Sequence, residues 1–162
     1  MNIFIASRQR IRKVNRRLLK QIIAALLEEL KIGKGHLDIH LVAAPEMTRL
    51  NEKFLKHAGP TDVITFNYAD NGRAGSPLPA DGAQGVARPT LHGEIFICLD
   101  EAVRQARKFG TTWQSEVVRY TIHGVLHLLG FDDANAGARR KMKRAENRRL
   151  RVLSRRFPLS KL

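Results

Sequence analysis

"HGVLHLLGFDD", residues 123–133, sets two imidazoles four residues apart in an apolar run and follows them with a glycine and two aspartates. The residues leading into it are helical by period. Val118, Ile122, Val125 and Leu129 repeat at three and four and predict the buried stripe of a helix over 112–129. Glu116, Tyr120, His123 and His127 fall on the adjacent face, so two rings one turn apart can chelate a single cation. That pair alone is a weak signal. A third ligand must return from beyond the helix, which requires the chain to reverse sharply. Gly130 permits this, because glycine takes the left-handed conformation that ends a helix. Asp133 then completes the H-x3-H-x2-G-x2-ligand spacing of metzincin-type zinc sites.

Two histidines, one carboxylate and a water make a four-coordinate zinc site with an open position. We therefore expect His123, His127 and Asp133 to hold one Zn²⁺ per chain. In H-E-x-x-H peptidases the glutamate after the first histidine is the general base. Here that position is Gly124, which disfavours peptide hydrolysis and leaves metal-assisted hydrolysis of another substrate. No side chain stands out as a general base, so the catalytic group is expected to be a metal-bound water. Glu116 is placed to orient or pack rather than to abstract protons.

Outward from the motif, "NIFIAS" reads as a strand. Leu18, Leu19, Ile22, Ile23, Leu26, Leu27 and Leu30 form the apolar face of a helix that Gly33 stops. "HLDIHLV" alternates, with Leu37, Ile39 and Leu41 on one face and Asp38 and His40 on the other. His36 and His40 are thus expected on a strand surface rather than as ligands. Met47, Leu50 and Phe54 mark a short helix. "DVITF" and "EIFIC" are two more strands, the second carrying Cys98 into the core. Residues 68–92 between them, rich in glycine and proline, read as a mobile loop, an insertion or a lid. Asp100 is the expected N-cap of "EAVRQARKF", and Thr111 with Gln114 forms a capping box for the motif-bearing helix. Asn135 caps a basic C-terminal helix carrying Met142, Ala145, Leu150 and Leu153. The order β-α-β-α-β-β-α-α-α predicts an α+β fold: one domain over 1–162, with a small mixed sheet of about four strands packed with helices.

Charge points to the partner. The chain carries 29 Lys and Arg against 15 acids, a net +14. The excess is concentrated at 8–20 and 139–161, and two basic blocks favour a polyanion, nucleic acid first, over a merely solvated surface. With one cysteine no disulfide can close within the chain. No apolar run approaches the ~20 residues of a membrane span, and the opening residues lack the apolar region of a secretory signal. A cytoplasmic protein with no membrane partner is expected.

These residues together resemble the YbeY family of metal-dependent endoribonucleases that act in ribosomal RNA maturation. The family hallmark, close to H-G-x-L-H-L-x-G-Y-D-H, stands beside "HGVLHLLGFDD". "LNEKF" followed by "PTDVITF" is similar to the family's L-N-x-x-Y and P-T-D-V-L-S-F. "HGEIFIC" is similar to L-G-D-I-x-I-C, and Met142 and Glu146 in "MKRAE" to a later M-x-x-x-E. The resemblance spans about residues 37–150. It implies a zincin-like α+β fold and a zinc-dependent, single-strand-specific endoribonuclease acting in ribosomal RNA maturation and ribosome quality control. Its partners would be ribosomal RNA and the ribosome or its assembly factors. Three departures matter. Asp133 stands where the family has a third histidine, while Asp132, the competing carboxylate, aligns with the family's aspartate. Leu55 replaces the arginine that follows L-N-x-x-Y, leaving Lys53 or Lys56 as RNA-binding candidates. The 68–92 loop is longer than the family's. A reading from another class is a non-catalytic RNA-binding ribosome-assembly factor with a structural metal, which would need a fourth protein ligand that the sequence does not offer.

Overall fold

Alternation at residues 34–42 becomes the second strand of a four-stranded sheet whose two faces are chemically unlike. A computed structural model describes residues 1–68 and 90–162. The strands are β1 (Asn2–Ser7), β2 (Lys34–Val42), β3 (Val63–Asn67) and β4 (Thr90–Cys98). The helices are α1 (Arg16–Glu29), α2 (Ala44–Leu50), α3 (Leu99–Phe109), α4 (Trp113–Leu128) and α5 (Ala136–Arg156). A π-helical turn, Asn51–Leu55, extends α2, and a 3-10 turn, Leu159–Lys161, follows α5. The sheet order is β1-β2-β4-β3. β1, β2 and β4 run parallel, and β3 is antiparallel to β4. The expected α+β architecture with one mixed sheet is the one observed.

One face of the sheet is the main core. Leu37, Ile39, Leu41, Leu91, Ile95 and Ile97 point into it and meet the apolar stripes of α1 and α4. Val118, Ile122 and Val125, the stripe read from the sequence, are fully buried there. On the other face α2 covers a smaller cluster of Val42, Met47, Ile64, Phe96 and Cys98. Asp38, His40 and Glu94 share that face by alternation and are half-buried.

Three local expectations need correction. Asp100 does not cap its own helix: α3 starts two residues earlier than expected, at Leu99, with Cys98 as N-cap. The Asp100 carboxylate instead accepts from the Ala44 N–H at 2.6 Å, satisfying the start of α2, which has no side-chain cap of its own. The capping box is displaced by one residue. Thr112 caps α4 by accepting from Ser115 N–H, while the Thr111 hydroxyl donates to Glu116 Oε1 at 2.6 Å. The loop expected over 68–92 is shorter at its far end, because Thr90–His92 pair with β2 as the start of β4. Its proposed mobility falls on residues 69–89, outside the described ones. Among the described residues no helix is long and apolar enough to cross a membrane.

Candidate metal centre

Helix α4 lies close enough to β4 that residue 124 has no room for a side chain. A Cβ there would stand 2.8 Å from Ile95 Cγ2. The glycine that replaces the peptidase glutamate is therefore a packing requirement, and a general base cannot occupy that position. At its far end α4 is tied to the sheet by Asn67, whose Nδ2 donates to Leu128 O at 3.3 Å.

The reversal read at Gly130 is a Schellman turn. Gly130 has φ +86°. Its N–H donates to His127 O at 2.9 Å, and Phe131 N–H donates to Leu126 O at 3.0 Å. The next turn separates the two aspartates. Asp132 Oδ1 accepts from the N–H groups of Asp133 and Ala134, at 2.7 and 2.9 Å, so its carboxylate is spent on local backbone. The Asp133 carboxylate faces the histidines, with Oδ2 3.7 Å from His127 Nε2 and 4.0 Å from His123 Nε2. The two imidazole Nε2 atoms are 2.9 Å apart.

This triangle suits one small ion. A tetrahedral zinc with bonds of ~2.0–2.1 Å spaces its ligand atoms ~3.3 Å apart. Separations of 2.9, 3.7 and 4.0 Å bracket that value. The tautomer also fits. Glu146 Oε1 lies 2.6 Å from His123 Nδ1. A carboxylate there fixes the ring proton on Nδ1 and turns the Nε2 lone pair toward the triangle, as metal-bound histidines require. The main chain of Phe131 sits against the His127 ring and favours its charged form. Burial pulls His123 down, but the hydrogen bond and charge of Glu146 outweigh it and raise its pKa above the ordinary value. Burial, then the charge of His123, lowers His127.

Glu146 is itself held. Arg119 approaches its Oε2 at 3.6 Å and Glu116 Oε2 at 3.9 Å, and donates to Asn147 Oδ1 at 2.8 Å. Glu116 thus stands three contacts from the triangle, through Arg119 and Glu146, and is buried, in keeping with an orienting or packing role. The sequence marked Glu146 only as part of "MKRAE" and gave no sign of its contact. Spacing cannot show a partner 23 residues away on another helix.

Beside the triangle lies a pocket of ≈ 530 Å³, lined by His123, Asp133, Glu146, Arg119, Arg139 and Lys143 among others. Asp133 is the most open of the three candidate ligands, its side chain 44% exposed against 21% for His123 and 26% for His127. Access is therefore from the Asp133 side. Lys53 and Lys56 do not line this pocket. They lie exposed on and beside the π-helical turn, with Lys53 Nζ 5.1 Å from the Phe54 ring centre and Lys56 in the left-handed conformation. Leu55 between them is 48% exposed.

Comparison with known proteins bears on the family and the fold. Residues 2–154 match the family model described as endoribonuclease YbeY. The chain is similar to the endoribonuclease YbeY of Salinibacter ruber, 30% identical over 142 residues that cover 88% of this chain and 85% of that one. It is similar also to the endoribonuclease YbeY of Elusimicrobium minutum, 35% identical over 125 residues covering 77% and 79%. The solution structure of TM1509 from Thermotoga maritima matches with a TM-score of 0.59 at 26% identity, covering 94% of this chain and 89% of that one.

Proposed function

This chain belongs to the YbeY endoribonuclease family, and from that premise we propose that it is a zinc-dependent, single-strand-specific endoribonuclease of ribosomal RNA maturation and ribosome quality control. The observation that carries the reading is the convergence of His123, His127 and Asp133, with Glu146 fixing the His123 tautomer. Zinc held by these groups supplies a Lewis acid for a phosphate oxygen and a more acidic water. The chain's own residues do the rest. Glu146 holds His123 in place, and Arg119 holds Glu146. Arg139 and Lys143 on the pocket wall offer positive charge where a phosphodiester would enter. The basic blocks at 8–20 and 139–161 suit an RNA surface such as the ribosome or a precursor of it, in the cytoplasm. Lys53 and Lys56 are flanking RNA contacts in this reading.

The test is a cleavage assay with the zinc-loaded protein on single-stranded RNA, duplex RNA, a ribosomal RNA precursor and casein. Cleavage of the single-stranded and ribosomal substrates, lost in His123→Ala, is the expected result. Salt-sensitive binding of ribosomal RNA with no cleavage at all would favour the assembly-factor reading, and casein hydrolysis would favour a peptidase.

A further inference from the structure

We propose that Asp38, His40 and Glu94 form a second site for a divalent transition-metal ion, on the opposite face of the sheet from the α4 centre. One donor atom from each lies within 4.8 Å of the others. Asp38 and Glu94 are direct partners in the β2–β4 register, and His40 follows two residues along the same face. Like charges directly opposed across strands repel. In a chain with 29 Lys and Arg a basic neighbour is the ordinary remedy. Among the described residues no Lys or Arg pairs with either carboxylate. Asp38 Oδ1 instead lies 2.7 Å from His36 Nε2, the Tyr68 hydroxyl sits near Glu94, and the nearby Arg8 is engaged with Glu46 at 3.0 Å.

His40 supplies an independent reason. Its ring stacks on Phe96 with centroids 4.5 Å apart, and both of its ring nitrogens are shielded from solvent with no hydrogen-bond partner among the described residues. Imidazole nitrogens left in that state lose hydration with no return. An ion bridging it to the carboxylates satisfies the lone pair and cancels the opposed charges together. Burial, and then Arg8, lowers the His40 pKa against the pull of Glu94, Asp38 and Glu46, so the ring is neutral and able to ligate at neutral pH. One imidazole with two carboxylates suits Zn²⁺, Mn²⁺, Fe²⁺ or Co²⁺, whereas Mg²⁺ and Ca²⁺ prefer all-oxygen shells. Three protein donors leave positions for water or for an anionic oxygen such as a phosphate.

Metal stoichiometry of the full chain tests this, with Zn²⁺ alone as the probe in equilibrium dialysis. Wild type should bind two equivalents, His40→Ala and Glu94→Gln one, and the His123→Ala/His127→Ala variant one. Combining His40→Ala with that pair should leave none, and millimolar Mg²⁺ should not displace the second equivalent. Because the variants separate the sites, loss of the His40 equivalent reads independently of the α4 centre and of RNA cleavage. Paramagnetic Co²⁺ titrated into wild-type protein gives a reading that needs no variant: it should broaden the His40 ring protons. A wild-type stoichiometry that His40→Ala leaves unchanged, or a sharp His40 ring at saturating Co²⁺, would overturn the proposal.

Discussion

His123 is held by Glu146 at 2.6 Å, while His40 has no hydrogen-bond partner on either ring nitrogen among the described residues. Both rings border a candidate ligand triangle, and both triangles combine imidazole with carboxylate. The first stands on one helix and the turn that closes it, backed by Glu146, Arg119 and Glu116. Its ligands are oriented before any ion arrives. The second spans two strands, with opposed carboxylates and an unsatisfied ring, so its electrostatics settle only when a cation enters. A pre-organised centre should lose ligand affinity when altered and keep its fold. A frustrated one should change stability in opposite directions with and without metal.

The comparison can be broken at several strengths. The largest effect is expected from His123→Ala or His127→Ala, each of which should abolish zinc binding at the α4 centre while circular dichroism stays native. Asp133→Ala should weaken that binding more than Asp132→Ala, since the Asp132 carboxylate serves the backbone of its own turn. Equal zinc affinity in the two aspartate variants would contradict the ligand geometry. Next, Glu146→Ala should lower zinc affinity about 10–100-fold, the usual effect of removing a carboxylate behind a metal-bound histidine. Competition with a chelator measures it, and an unchanged affinity would mean that Glu146 merely packs. Gly124→Ala should destabilise the fold by roughly 1–3 kcal/mol, because the added methyl meets Ile95 at 2.8 Å. Thermal denaturation reports the loss, and a neutral result would show that α4 can move off β4. The smallest effect belongs to Glu94→Gln. In metal-free protein it should stabilise by about 0.2–1 kcal/mol, through relief of the Asp38–Glu94 opposition. With saturating zinc the sign should reverse, and stabilisation under both conditions would argue that no ion bridges the strands.

The same contrast explains what could be read in advance. The α4 centre is a local object: an i, i+4 pair, a glycine that reverses the chain and a carboxylate three residues on all lie within eleven consecutive positions. Strand faces were equally legible, because alternation in "HLDIHLV" sets Leu37, Ile39 and Leu41 against Asp38 and His40. Contacts between distant elements were not legible. Glu94 stands opposite Asp38 because β4 inserts beside β2, a pairing order that no single strand encodes. Asp100 satisfies the start of α2 rather than of α3 because tertiary packing brings the Ala44 N–H to it. Glu146 reaches His123 only once α5 lies along α4. His40, expected as a plain surface residue, has its ring nitrogens shielded from solvent.

The central claim is that the His123, His127 and Asp133 triangle holds the ion on which RNA cleavage depends. It is tested most directly by stripping the wild-type protein of metal with a chelator and following cleavage of single-stranded RNA as zinc is returned. The account predicts no cleavage by the stripped protein, recovery that saturates as the α4 centre fills, and no recovery in His123→Ala at any zinc concentration. Cleavage by the metal-free wild type at the rate of the reloaded protein would contradict it.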